Sequence, residues 1–156
     1  MRPPALSAPE IADLLRKEFP QAFYEGCGLT IERVEYAAVR VRRHFHEDTL
    51  RPGGTISGPT MMELADFAMY VAVFSAIGAQ PLAVTTNLTI NFLRKPAQAD
   101  LLADAKLLKV GKRLAVGEVT IFWTVKRNRS RMSRRLIPSR MGQVSRWCEN
   151  TILICH

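Results

Sequence analysis

Two carboxylates, Glu63 and Asp66, stand three residues apart in a stretch whose other members are almost all apolar, from Met61-Met62 through Leu64-Ala65 to Phe67-Ala68-Met69. On a helix that spacing puts both on one face. A carboxylate withdrawn from water is costly unless it is paired or put to use. Two readings stand side by side. The pair supplies a catalytic base or nucleophile, or it plays a capping and dipole role near a helix N-terminus, which suits Glu63 better than Asp66. Gly58 adds a second element of chemistry. The first turn of a helix offers unpaired N–H groups and the positive end of the dipole, so an oxyanion can be held there while a carboxylate two turns along acts as base or nucleophile. In a side-by-side dimer the two could also complement each other across the interface.

Other chemically capable residues carry less. His44 and His46 lie two apart on one face of an expected strand, beside Glu47 and Asp48, which is a conceivable metal site. No third ligand stands at a diagnostic spacing, and no metal is expected. Gly53-Gly54 reads as a turn, since no Lys-Ser/Thr follows to make a phosphate loop. Met61, Met62 and Met69 suit core packing or tunnel lining.

The elements that must position these groups are legible in outline. Ser7-Ala8-Pro9-Glu10 is a helix start signal, and apolar residues at 11, 14, 15 and 19 give an amphipathic helix over about 10–19. Residues 30–45 alternate in stretches, Val39 and Val41 against Arg40 and Arg42, and read as strand. After the turn-rich Arg51-Pro52-Gly53-Gly54, Ser57 suits an N-cap and Pro59 a first helical turn. The helix that follows, about Gly58 to Ile77, is apolar on nearly every face and must be wrapped by other structure. Gly78 ends it. Three β-type runs follow, Leu82 to Leu93, Leu101 to Val110 and Leu114 to Trp123, read as an antiparallel meander. The class is α+β, with an antiparallel sheet wrapped around a long central apolar helix.

A chain of 156 residues with 47% hydrophobic content suffices for one core and is short for two domains. The net charge of +8 is unevenly spread: residues 1–123 hold 14 Lys/Arg against 13 Asp/Glu, and residues 124–156 hold 8 against one. The body is therefore near neutral, and nucleic acid is not an expected partner of it. No basic leader with an apolar stretch opens the chain, and three cysteines in no paired or metal-binding spacing fit a reducing compartment, so a cytoplasmic location is expected. The longest apolar run, Phe67 to Ala79, falls short of the roughly 20 residues of a bilayer span, and no membrane partner is expected.

The segment from Arg51 to Asp66, Arg-Pro-Gly-Gly-Thr-Ile-Ser-Gly-Pro-Thr-Met-Met-Glu-Leu-Ala-Asp, resembles the hallmark of the phenylacetate-type (PaaI-like) acyl-CoA thioesterases of the hotdog superfamily. Gly54, Gly58 and Asp66 match that hallmark. Thr85-Thr86-Asn87 through Arg94-Lys95-Pro96 resembles the family's next strand, and Val110 to Ala115, with Lys112 and Arg113, its basic turn. The resemblance covers about residues 20–123. It implies a hotdog domain over residues 1–123 that hydrolyses the thioester of a small or medium acyl-CoA as a homodimer or homotetramer, with no cofactor beyond the CoA of the substrate. Asp66 would be general base or nucleophile and the Gly58 N–H would polarise the carbonyl, with Arg51 and Ser57 beside them. Gly54, Glu63, Thr85, Thr86, Asn87, Arg94, Lys95, Lys112 and Arg113 would hold substrate, the four cations near the CoA phosphates.

Three positions depart from the pattern: Arg51 stands for the usual Asn, Ser57 for the usual His and Pro59 for the second Gly. They leave open a non-catalytic acyl-CoA binding or sensing module. After Trp123 the chain turns Arg- and Ser-rich, and residues 124–156 read as a basic, atypical tail foreign to the fold, which would leave the sheet short of an edge strand. A second alternative is nucleic-acid binding through that tail.

Overall fold

The computed structural model describes residues 2–123 and 148–155. Helix α1 spans Ala8–Glu18. The start signal read from sequence forms a capping box: the Ser7 N–H and hydroxyl both donate to the Glu10 carboxylate, at 2.8 and 2.6 Å. Ile11 and Leu15, one turn apart, are fully buried and dock the helix on the body.

Strands β1 (Leu29–Glu35) and β2 (Ala38–Arg43) occupy the region expected to be one strand. They form an antiparallel hairpin turning at Tyr36-Ala37. The run Tyr36-Ala37-Ala38-Val39 holds neither Gly nor Asn, so no turn residue marks the reversal. Ala37 takes φ 59, a left-handed conformation uncommon for an L-residue, and its carbonyl accepts from the Leu107 N–H at 2.8 Å. A tertiary hydrogen bond thus helps hold a turn that local sequence disfavours.

The two short strands β3 (Leu50–Arg51) and β4 (Thr55–Ile56) make a small separate hairpin, and α2 follows over Gly58–Ile77. Ser57 caps α2, Pro59 sits in its first turn, and Gly78 at φ 85 closes it, as the sequence predicted. By length and composition α2 also passes for a membrane span, but 67% of its most apolar window is buried inside the fold. The burial is one-sided in its first half. Pro59, Met62 and Glu63 are exposed and Asp66 and Tyr70 half-buried, a stripe at helical spacing that the chain's own sheet leaves uncovered.

Strands β5 (Val84–Phe92), β6 (Leu101–Val110), β7 (Leu114–Trp123) and β8 (Cys148–Cys155) complete a six-stranded antiparallel sheet in the order β1-β2-β6-β7-β8-β5. Two expectations are corrected here. The runs after α2 are not a meander, because β6 returns beside β2 while β5 lies at the opposite edge. The residues after Trp123 are not wholly outside the fold either: β8 fills the slot between β7 and β5, and the segment 124–147 lies outside the described residues. Strand β8 carries no strong sequence signal because the basic residues before it obscure an eight-residue stretch, Cys148–Cys155, whose apolar run is Ile152-Leu153-Ile154-Cys155. At the centre of the sheet's inner face stand the small residues Ala103, Ala105, Ala115 and Gly117, flanked by Leu101, Leu107, Val119 and Ile121, so α2 packs close there. Beneath Met69 even a Cβ on Gly117 would stand 2.5 Å from the Met69 methyl and 2.8 Å from the Lys106 carbonyl.

Candidate active site

Asp66 lies on the uncovered stripe of α2, half-buried, and accepts a hydrogen bond from the Thr85 hydroxyl of β5. That contact depends on an irregularity in β5. Leu88 and Ile90 pack toward the core, and strict alternation from them would turn Thr85 outward. Thr85 pairs with Ile154 and Asn87 with Leu153, so Thr86 is an extra residue, a bulge that resets the phase and brings Thr85 to the helix side. Of the three β5 residues expected at the site, Thr85 meets Asp66. Asn87 accepts from Thr89 at 3.3 Å on its own strand.

At the helix start, Ser57 Oγ lies 3.4 Å from the Thr60 N–H and 2.9 Å from Thr60 Oγ1, so its hydroxyl is engaged in capping the helix. Gly58 follows at the first helical position, and Phe92 covers it. The ring is 3.4 Å from where a Cβ on Gly58 would stand, so any side chain at 58 presses on Phe92. Phe92 was not among the predicted site residues. Its signal was there as the last apolar member of the series Leu88, Ile90, Phe92.

Arg51 is exposed on β3, pairing through its backbone with Thr55. Gly54, at φ 72, donates its N–H to the Arg51 carbonyl at 3.0 Å and accepts from Gln98 Nε2 at 2.9 Å, tying the hairpin to the loop after β5. Glu63 corrects an expectation. It is not buried: its side chain is 52% exposed and faces the Arg43 guanidinium at 3.5 Å. The uncovered stripe of α2, invisible in a sequence apolar almost all round, is the reason.

The four cations are not brought together within one chain. Leu114 and Val84 both pair with Cys155, so Lys112 and Arg113 lie at the Val84 end of the sheet. Arg94 and Lys95 follow Phe92 at the other end, on the order of 25 Å away by strand rise. His44 and His46 do not converge on a common ligand: His44 faces Asp100 at 3.3 Å and Thr30 at 3.1 Å, and His46 faces Asp48 at 2.8 Å.

An antiparallel sheet curled about one long apolar helix is the hotdog arrangement. Residues 53–124 match the thioesterase superfamily. An inferred thioesterase of Silicibacter sp. superposes with a TM-score of 0.75 at 30% identity, covering 97% of this chain and 92% of that one. An inferred esterase of Saccharolobus solfataricus is 28% identical over 119 residues, 76% of this chain and 77% of its own. The PaaI protein from the phenylacetic acid degradation operon of E. coli shares the fold, with a TM-score of 0.70 at 20% identity over 95% of this chain and 91% of that one. The chain belongs to the thioesterase superfamily and is a hydrolase by class.

Proposed function

We propose that this protein is a PaaI-like acyl-CoA thioesterase that hydrolyses small or medium acyl-CoAs as a cytoplasmic homo-oligomer, using no cofactor. The observation that carries the reading is Asp66, a half-open carboxylate two turns from the start of α2 and held by the Thr85 hydroxyl. In the proposed reaction Asp66 activates a water, or attacks directly, at the thioester carbonyl. The Gly58 N–H at the positive end of α2 receives the developing oxyanion. Pro59 has no N–H, so Gly58 carries that contact without help from the next residue.

The dimer is argued from the sheet edges. Strand β1 is blunted by a bulge between Ile31 and Arg33 and by the charges of Arg33 and Glu35. Strand β5 has no partner on its outer edge among the described residues, and Val84 and Phe92 on it are 60% and 49% exposed. Two β5 strands paired antiparallel about a two-fold axis would set the Val84 end of one beside the Phe92 end of the other. That arrangement brings Lys112 and Arg113 toward Arg94 and Lys95 of the partner subunit, assembling the phosphate-binding charge that a single chain splits.

The test is free-thiol release from short, aromatic and dicarboxylic acyl-CoAs. Asp66→Ala is expected to lower kcat by roughly 10²–10⁴, with the fold intact by circular dichroism. Tight CoA binding with no turnover of any thioester by the wild-type protein sinks the hydrolase reading and leaves a binding module.

A further inference from the structure

Two glycines on the approach to α2, Gly54 and Gly58, are each met by a residue of one connection, the one that leaves β5 for β6. At the tip of the β3–β4 hairpin, Gln98 Nε2 donates to the Gly54 carbonyl at 2.9 Å, and a Cβ on Gly54 would stand 3.2 Å from the same nitrogen. At the helix start the Phe92 ring meets Gly58 tip first, with Cζ 3.4 Å and the two Cε atoms 3.9 and 4.0 Å from where a Cβ would be. Each glycine leaves room for its contact. The connection is itself fixed at both ends. Phe92 pairs with Cys148 in the sheet, and the Asp100 carboxylate accepts from the Phe45 N–H at 3.0 Å and from Arg42 at 3.1 Å.

The hairpin needs this support. Its strands are two residues each, Arg51 to Gly54 are exposed, and a ribbon so short is marginal on its own. At its base the Ser57 N–H donates to the Thr49 carbonyl at 2.8 Å, which fastens the hairpin to the first turn of α2. What that turn carries is the Gly58 N–H. Ser57 already caps the Thr60 N–H, Pro59 has none, and the Gly58 N–H meets no acceptor among the described residues. We infer that Phe92 and Gln98 are positioning residues: together they hold the hairpin and the start of α2 so that the Gly58 N–H stays where the thioester carbonyl oxygen reaches it. The inference rests on the oxyanion role of Gly58 in the reading above and deepens it.

The experiment measures, by calorimetry, binding of two non-hydrolysable CoA compounds of matched chain length, an alkyl-CoA thioether and a 2-oxoalkyl-CoA thioether. They differ in the one oxygen that Gly58 would meet. The wild-type protein is expected to prefer the oxo compound. Gln98→Ala and Phe92→Leu are each expected to lower that preference by roughly three- to tenfold, the equilibrium worth of one hydrogen bond, and to leave affinity for the alkyl compound unchanged. In hydrolysis the same variants are expected to lose about tenfold or more in kcat with KM little changed, since an error of about 1 Å in placing a reacting group can cost ~10²-fold. Should Phe92→Leu fail to fold, Gln98→Ala, at an exposed position, carries the test. A role in packing alone would weaken both compounds in proportion, and an unchanged oxo-to-alkyl ratio in the folded variants overturns the inference whatever happens to kcat. Hydrolysis by the wild-type protein separates the two readings. A ratio that falls in the variants without wild-type turnover keeps Phe92 and Gln98 in their role and removes the hydrolase, whereas wild-type turnover with an unchanged ratio does the reverse. Equal binding of the two compounds by the wild-type protein overturns the inference, because Gly58 then meets no ligand oxygen.

Discussion

Thr85 is placed to orient Asp66 through a single hydroxyl, and the arrangement makes the contact separable from the fold. Thr85→Val keeps the shape and removes the donor. A hydrogen bond to a charged group is worth about 1.5–3 kcal/mol, so some loss of melting temperature is expected, and kcat/KM of the still-folded variant is expected to drop by about tenfold or more, measured by thiol release beside a melting curve. A second carboxylate, Asp100, answers to pH. Desolvation alone would push it up, but the Phe45 N–H, the Arg42 guanidinium and His44 outweigh that and hold it below the usual carboxylate range. A depressed folded-state value means that the stabilisation is present above the unfolded carboxylate value near 4. It is lost as pH falls through the lower folded value. Asp100→Asn is therefore expected to lower the melting temperature at pH 7 and to flatten its fall below about pH 4; parallel pH profiles for variant and wild type would refute the assignment.

At the scale of elements, the closest constraint is where α2 crosses β7. Gly117→Ala puts a methyl into the Met69 side chain and the Lys106 carbonyl. Met69 can swing aside and the β6 backbone cannot, so overpacking by about 1–3 kcal/mol is expected, read as a lower urea midpoint. The β1–β2 turn gives the opposite sign. Ala37 sits at φ 59, where a Cβ costs roughly 1–2 kcal/mol. Ala37→Gly relieves that and gives back part of it in unfolded-chain entropy, so a modest net gain in the same titration is expected. Both effects arise from backbone geometry that neighbouring elements impose.

For the whole molecule, β8 decides whether the site exists. Strand β5 carries Thr85 and Phe92 and pairs with β8 and no other strand among the described residues. Truncation after Trp123 is expected to release β5, abolishing hydrolysis and, by the dimer proposed above, association as well; an active dimer lacking residues 124–156 would contradict the sheet order. The proposed interface makes its own forecast. Arg94→Ala/Lys95→Ala and Lys112→Ala/Arg113→Ala proteins, each weak toward CoA esters, should recover about a quarter of wild-type activity when refolded together, because half the dimers are mixed and each mixed dimer holds one intact site of two. No recovery in verified mixed dimers would place the two basic pairs in separate sites.

What sequence alone determined was local or carried by side-chain type. Ser7 with Glu10, Ser57 with Pro59, and Gly78 are caps whose chemistry is complete within a few residues, and both helices fall where those residues put them. The apolar content of α2 sufficed to require a sheet around it, and the Gly54, Gly58, Asp66 spacing carried the resemblance to the thioesterase superfamily. Tertiary structure decided what depends on long-range pairing. Strand order placed β5 at an edge and β8 within the sheet, because pairing partners are chosen by the whole set of strands. The bulge at Thr86 decided which residue faces Asp66, since one extra residue changes the face of a side chain without changing its type. The exposure of Glu63 followed from where the sheet ends over α2, a boundary that no periodicity in α2 records.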